Sequence, residues 1–546
     1  MKIKTLKTTH WILIGILSAY LAYAGYYIFL TSTLTGGERY FILNDDAMIS
    51  MRYAHNLARG YGLVWNPGEA PVEGFTNPLW TIYMAFWHLF PIPLSKMSLP
   101  IQISGALFLA LNLIFVYRIA LRVTASELVS VLSVVLTGLY EPLNNWGLLG
   151  MEVSILVLLI NIAVWHALKS FDSGHFSWVP YAILATGTLI RIDMAVPYLA
   201  LWLLFLAYDQ SNRRQHMLYG MGILAVALGV QTGLRLAYYG ELLPNTYYLK
   251  VSGIPFFVRV ANGFFAFVML IWNTGWVLAL LPFLLLLYRR DKLIVLLLFL
   301  FVAQVAYSIY VGGDAWEHKG GANRYIALAI PLFFVLLLTS ASYILKLMTQ
   351  KLGPARRPSV NQTFAILMVF FTLLSLVQFN STQDTNLLLT CSPCKALVTT
   401  RAGFVQGDIE FTQGNREYLD IVLALNAFID DEARLAVVTA GAIPYFTDNP
   451  AIDLLGKNDS YIARLDSHLL NAPLARLTNY RPGHSKWDYA YSIGELRPDV
   501  IVQLWEDADE ALAYMADYVI VESQGLTFRV LHDSPHIDWE AVTIIH

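Results

Sequence analysis

About a dozen apolar runs occupy the first 379 residues, near 11–30, 78–94, 101–117, 126–141, 152–168, 178–190, 194–208, 217–236, 264–288, 293–311, 323–345 and 363–379. Hydrocarbon offers no partner for a backbone N–H or C=O. Uninterrupted apolar runs of this length therefore fold as helices that cross a bilayer or lie against it. Composition agrees: 57% of residues are hydrophobic and only 14% charged, where a soluble protein carries about 25% charge. The net charge of −3 and the lack of a basic stripe with interleaved aromatics exclude nucleic acid as a partner. The first run, ending near Leu30, is long enough to span and shows no small-residue cleavage site, so it reads as an uncleaved anchor.

Positive residues orient the runs. Lys2, Lys4 and Lys7 put the N-terminus in the cytoplasm. Later cytoplasmic turns are marked by Arg118 with Arg122, Lys169, Arg213 with Arg214, Arg289 with Arg290 and Lys292, and Lys351 with Arg356 and Arg357. The set is consistent only if 78–117 crosses once in net terms, with the Pro-bounded run 78–94 lying in the interface or re-entering. The expected fold is a polytopic α-helical membrane body, residues 1–379, with about eleven crossings plus interfacial helices and a first outer loop at 31–77. The runs 178–190 and 194–208 are short and flank Arg191 and Asp193, which predicts a hairpin whose tip reaches the outer water. From residue 380 charge rises and strand-like pieces appear, Leu435 to Thr439 and Val500 to Gln503. Residues 380–546 thus read as a soluble α/β domain on the outer face. The two cysteines, Cys391 and Cys394, are expected to form a disulfide at its start. A redox site would want a strand before them and a helix after, and zinc would need two more ligands.

The chemistry concentrates in the first outer loop. Asn44, Asp45 and Asp46 stand where an amphipathic helix begins, running to Arg59 and closed by Gly60. One acid there is explained by N-capping. A pair beside a membrane is better explained by two separate jobs: a general base for an acceptor hydroxyl, and a neighbour that orients the base, a sugar or a metal. Neither acid belongs in hydrocarbon, where an Asp costs about 2.5–3.5 kcal/mol. The rest of the loop, Gly60 to Glu69 and Pro71 to Trp80, is rich in turns, aromatics and amides, the materials of a sugar pocket and equally of an interfacial loop.

Asp45-Asp46, Arg52-Tyr53, Asn56-Leu57, Gly60, Gly62, Asn66-Pro67-Gly68-Glu69 and Glu73-Gly74-Phe75-Thr76-Asn77-Pro78-Leu79-Trp80 together resemble membrane glycosyltransferases of the GT-C superfamily. Within it the likeness is to the terminal β-(1→2) arabinofuranosyltransferases of the mycobacterial wall. Gly150-Met151-Glu152, Arg191 with Asp193, Tyr238 to Lys250 with its Leu-Pro-Asn-Thr-Tyr-Tyr core, Gly312-Gly313-Asp314 and Arg324-Tyr325 fit the same pattern. So do Gly441 to Tyr445, Asp453 to Gly456 and Pro482 to Lys486 in the outer domain. The resemblance implies a polyprenyl-phosphate sugar donor, with Asp45 as base and Asp46 as its neighbour. Cations expected on the departing phosphate are Arg191, Lys250 and Arg324, with His318 and Lys319 as further candidates. Asp314, Glu152 and Tyr247 are expected around the donor sugar, and Glu73, Asn77 and His484 around the acceptor. Alternative roles stand beside these: Arg191 pairs with Asp193, Lys250 and Arg324 serve as interfacial anchors, Glu152 and Asp314 cap helices, and His484 with Lys486 belongs to a solvated loop. No cofactor or metal is expected; a divalent cation at the paired acids is the disfavoured alternative.

On this reading the protein is a glycosyltransferase in the bacterial inner membrane, working on its periplasmic side. It moves a sugar, D-arabinofuranose by the resemblance, to a surface glycan or glycoprotein by inverting displacement. A transporter or flippase of a lipid-linked sugar is the runner-up, and would need its ionisable groups near the midplane. A signalling receptor is disfavoured, since no cytoplasmic region is large enough to signal.

Overall fold

The computed structural model describes residues 8–317, 321–350, 357–379, 410–471 and 480–545. Cys391, Cys394, His318 and Lys319 lie outside the described residues, as do residues 380–409, which follow the boundary expected after Phe379. Seven described helices are long and apolar enough to cross a membrane: Thr9–Leu30, Leu94–Thr124, Val153–Ser173, Gln210–Tyr239, Phe256–Thr274, Lys292–Val311 and Ile330–Met348. The shorter apolar helices Glu127–Gly138, Val179–Ile190, Ile192–Tyr208, Trp276–Leu287 and Asn361–Val377 account for the other expected runs. Helix Pro78–His88 has 11 residues, about 16 Å of rise, too short to cross. The run 264–288 is two helices, broken at Gly275, whose φ of +94° an L side chain rarely adopts. The short stretch Asn273-Thr274-Gly275 marks the break inside an otherwise apolar run.

The soluble part is a six-stranded mixed sheet of order β4-β3-β5-β7-β6-β8. Its strands are β3 (Leu435–Val437), β4 (Ala451–Asp453), β5 (Val500–Ile501), β6 (Tyr518–Ser523), β7 (Leu526–Leu531) and β8 (Thr543–Ile545). A separate hairpin, β1 (Thr33–Thr35) and β2 (Glu38–Tyr40), follows the first helix. β3 pairs in parallel with β4 and β5, while β7, β6 and β8 add antiparallel. The expected strands at 435 and 500 are thus present and central. β3, β4 and β5 are buried throughout, which is why they read as short apolar runs without alternation.

Helix Asp45–Ala58 joins the two parts. Its apolar face, Ala47, Met48, Met51 and Ala54, packs into the membrane-body core, while Ile49 and Tyr53 belong to the core beneath the sheet. Arg52, 2% exposed, lies at the seam. Its guanidinium donates to Trp65 O (2.7 Å) and Asn66 Oδ1 (3.1 Å) of the first loop, and to Pro444 O and Asn449 O (2.8 Å) of the soluble part. A bond from a charged donor is worth about 1.5–3 kcal/mol, and acceptors left dry cost more. Arg52→Leu is therefore expected to cost at least about 3 kcal/mol, read as a lower thermal midpoint and as faster proteolysis between the two parts. An unchanged midpoint would contradict this role.

Candidate functional site at the membrane boundary

Asn44 caps helix Asp45–Ala58, accepting from Asp46 N at 3.2 Å. Capping therefore falls to Asn44, which leaves both acids for other work. Asp45 Oδ1 accepts from Gly441 N (3.1 Å) and Ala442 N (2.9 Å) of the soluble part. A Cβ on residue 441 would stand 2.2 Å from Asp45 O, so only glycine allows the approach. Asp46 pairs with Lys457 Nζ at 2.8 Å and Arg324 Nη1 at 2.9 Å. Arg324 also grips Asp314, at 2.8 Å through Nη2 and Nε.

The two adjacent acids titrate apart. Burial pushes Asp45 up to about 6, against the pull of Lys457 and the two N–H donors. Burial would raise Asp46 as well, but Lys457, Arg324 and Lys250 outweigh it and hold its carboxyl well below the usual range. Around neutrality Asp46 is a fixed charge and Asp45 a group that exchanges its proton.

Two cavities meet beside this pair. The larger, about 270 Å³, is lined by Glu73, Arg191, Asp193, Gln231, Arg235, Tyr247, Lys250, Arg324 and Tyr325 among others. The smaller, about 30 Å³, is lined by Asp46, Ser50, Asn77, Thr246, Lys250, Arg324 and Lys457 among others. Lys250 and Arg324 border both. Among the described residues no carboxylate lies within 4.0 Å of the Lys250 ammonium. Burial lowers Lys250 to about 8, with Arg324 adding to the effect. The other cations are committed. Arg191 pairs with Glu152 (3.0 Å) and Asp193, and Arg235 pairs with Glu73.

Several expected contacts have a different geometry. Glu152 is 1% exposed and reaches neither cavity wall. Its carboxylate accepts from Asn77 Nδ2 (2.8 Å) and from Arg191, so it holds the wall together behind the surface and has no oxygen aimed at a sugar. Arg191 is itself buried, and the hairpin tip, with Ile192 exposed, abuts the large cavity. Asp314 acts on the cavities through Arg324. Asn77 lines the small cavity with both ends of its amide bonded, to Glu152 and to Ser50 Oγ (2.8 Å). Glu73 and Tyr247 line the large one. His484 is elsewhere, in a recess with His468, Trp487 and Trp505, although the neighbouring Gly483 packs on Lys250. Asp45 lies on neither wall, one residue from Asp46, which does.

Lys457 and Arg235 were missed. Lys457 follows the noted Asp453-Leu454-Leu455-Gly456 stretch directly, so its neighbourhood was visible while its partner, 411 residues away, was not. Among the described residues no group of three or more His, Cys, Asp or Glu side chains is arranged to hold a metal ion.

The Glu152 geometry is testable. Removing one partner from a buried ion pair costs about 3–5 kcal/mol. Glu152→Ala should lower the thermal midpoint accordingly, whatever substrate is present. A variant of wild-type stability that has only lost sugar selectivity would restore the direct-contact role.

Comparison with known proteins agrees with this architecture. A model of a domain of unknown function, DUF8728, matches residues 407–543. The terminal beta-(1->2)-arabinofuranosyltransferase of Mycobacterium tuberculosis (strain ATCC 25618 / H37Rv) is 26% identical over 216 residues, 37% of this chain and 34% of that protein. The chain thus spans about a third of that relative's length. Among solved structures, ArnT from Cupriavidus metallidurans bound to undecaprenyl phosphate superposes with a TM-score of 0.57 at 13% identity, covering 97% of this chain and all of that one. The apo Archaeoglobus fulgidus oligosaccharyltransferase gives 0.52 at 11% identity, covering 98% of this chain and 76% of that one. The chain is a multi-pass membrane protein, an apolar helical body carrying a C-terminal mixed α/β domain, whose fold is similar to that of ArnT and whose sequence is similar in part to that of the mycobacterial enzyme.

Proposed function

We propose that the protein is a glycosyltransferase that moves a sugar from a polyprenyl-phosphate donor to a hydroxyl of a cell-surface glycan or glycoprotein, at the periplasmic face of the inner membrane. The same reading divides the chain after residue 379 into a catalytic membrane body and an outer domain. The observation that carries it is the pair of adjacent carboxylates with opposed titration beside a cavity whose one uncommitted cation, among the described residues, is Lys250. Pairs of acids driven apart in pKa are how a site assigns acid–base roles.

In the proposed step the acceptor oxygen attacks the anomeric carbon as the bond to the phosphate oxygen breaks. Asp45 takes the hydroxyl proton, and the lipid leaves as its phosphate monoester. Asp46 stays ionised and fixes Lys457 and Arg324. Lys250, with Arg324 beside it, meets the charge that grows on the leaving phosphate. Attack opposite the leaving group inverts the anomeric centre. D-Arabinofuranose is the sugar favoured by the mycobacterial relative, and a polyprenyl-phosphate donor by the lipid bound to ArnT. Asp46 and Asp314 each already have a cationic partner, so the donor set favours phosphate stabilisation by side-chain cations over a bound metal. The transporter reading is less well supported, because the ionisable cluster draws on Lys457 and the Gly441–Ala442 amides of the C-terminal domain, whereas a transport site gathers its ionisable groups among the spans.

Asp45→Asn should lower turnover by about 10²–10⁴, the usual worth of a general base, while donor binding persists. The pH profile of kcat/KM should rise through about 6 as Asp45 loses its proton, and fall through about 8 as Lys250 loses its charge. Asp45→Asn removes the acid limb. Lys250→Met removes the alkaline limb and raises the donor KM. The assay is a panel of polyprenyl-phosphate sugars with purified protein in nanodiscs. Full turnover by Asp45→Asn would discard the base assignment, and inactivity across the whole panel would discard the donor class.

A further inference from the structure

We infer that the soluble domain is part of the reaction centre itself, and that Lys457 is a positioning residue for the acid pair. Lys457 reaches from the loop after β4 to Asp46, and it borders the small cavity together with Lys250 and Arg324. The side chain is 10% exposed, so the pair is largely shielded from water, where it is stronger than a surface pair.

The loop that carries it is clamped from both sides. On its own side Asp453 accepts from Leu455 N (3.0 Å), Asn458 N (2.8 Å) and Asn458 Nδ2 (2.9 Å). From the membrane body, Asn245 Nδ2 donates to Gly456 O (3.0 Å), Lys457 O (3.0 Å) and Asp459 O (3.1 Å). Asn245 opens the short helix Asn245–Lys250, so one element presents Lys250 to the cavities and fixes the backbone of Lys457. Tyr53, on the helix of the acid pair, bonds Asn458 Oδ1 at 3.1 Å. Buried Lys486 of the soluble part ties the same region down by donating to Tyr248 O (3.0 Å), Ser252 O (2.8 Å) and Ala463 O (2.9 Å). A lysine held this firmly at its backbone can aim a charge where a free surface lysine cannot.

Two functions follow for the domain. Lys457 keeps Asp46 ionised and in place, and Gly441 and Ala442 hold one oxygen of Asp45. The charged and titratable groups facing Asp45 are Asp46 on its own helix, Lys457 from the loop after β4 and Tyr418 from helix Glu410–Asn426. Behind Asp46 stand Arg324 and Lys250, and His484 feels the same cluster with its ring held neutral, pushed down to about 3 by burial. The positive charge of Lys457, from the C-terminal domain, acts on the base, and its removal should be felt as a change in how tightly Asp45 holds its proton.

The test rests on the proposed base but has a readout separate from turnover. Wild-type protein, Lys457→Gln and Lys457→Met are labelled at the aspartate carboxyl carbon in nanodiscs. The Asp45 signal is assigned by its loss in Asp45→Asn, and its titration is followed by carbon NMR. Losing a neighbouring cation moves a carboxylate upward by about 1 unit or more, so the midpoint should move from near 6 to about 7 or higher in both variants. Lys457→Gln keeps a hydrogen-bond donor to Asp46, which guards against misfolding of the bulkier change. Lys457→Arg should restore the wild-type midpoint. In the transfer assay the acid limb should shift by the same amount, with kcat falling at least about fivefold at pH 6 while donor KM changes little. A shifted carboxyl titration in a protein that uses no polyprenyl-phosphate sugar supports the coupling and defeats the glycosyltransferase reading. An Asp45 titration unmoved in both variants overturns the inference.

Discussion

Asp46 is the node on which the structure depends. It takes one cation from the membrane body, Arg324, and one from the soluble part, Lys457. A buried carboxylate without partners would be expensive, and breaking such a pair costs several kcal/mol. Docking the soluble domain is therefore linked to keeping Asp46 charged. The remaining geometry follows from that docking. Gly441 and Ala442 come within reach of Asp45, and Asn245 seats the Lys457 loop while its helix turns Lys250 toward the cavities.

The wall of the large cavity applies the same economy. Arg191 is neutralised by Glu152 and Asp193, Arg235 by Glu73, and Arg324 by Asp314 and Asp46. Each pair is largely buried, and the Glu152 carboxylate also bonds Asn77. A rigid wall whose arginines are all paired, and whose one ammonium without a carboxylate partner among the described residues is Lys250, suits a monoanionic phosphate ester that gains charge as it departs. Its preorganised charges need not reorient when the bond breaks.

Much of this was legible in the chain, and the rest was hidden for identifiable reasons. The apolar runs gave the spans because hydrocarbon imposes a length. Leu435 and Val500 marked strands because buried parallel strands are short and uniformly apolar. The acid pair stood out because a carboxylate next to a membrane is costly. Arg191 with Asp193 was readable since two residues separate them. The break at Gly275 is marked only by Asn273-Thr274-Gly275, a short polar stretch inside a long apolar run. Glu152 stands behind the cavity wall, and in one dimension a carboxylate there looks like one on the wall. Lys457 and Arg235 were missed because their partners, Asp46 and Glu73, lie 411 and 162 residues away. Such pairings are set by packing and leave no local mark.

The most direct measurement of the central claim is an experimental structure of the protein in nanodiscs with a polyprenyl-phosphate sugar, trapped by Asp45→Asn. The account predicts the phosphate against Lys250 and Arg324, the sugar in the large cavity, and the anomeric carbon turned toward residue 45. A phosphate bound away from Lys250, or a sugar with residue 45 walled off from its anomeric carbon, would contradict it.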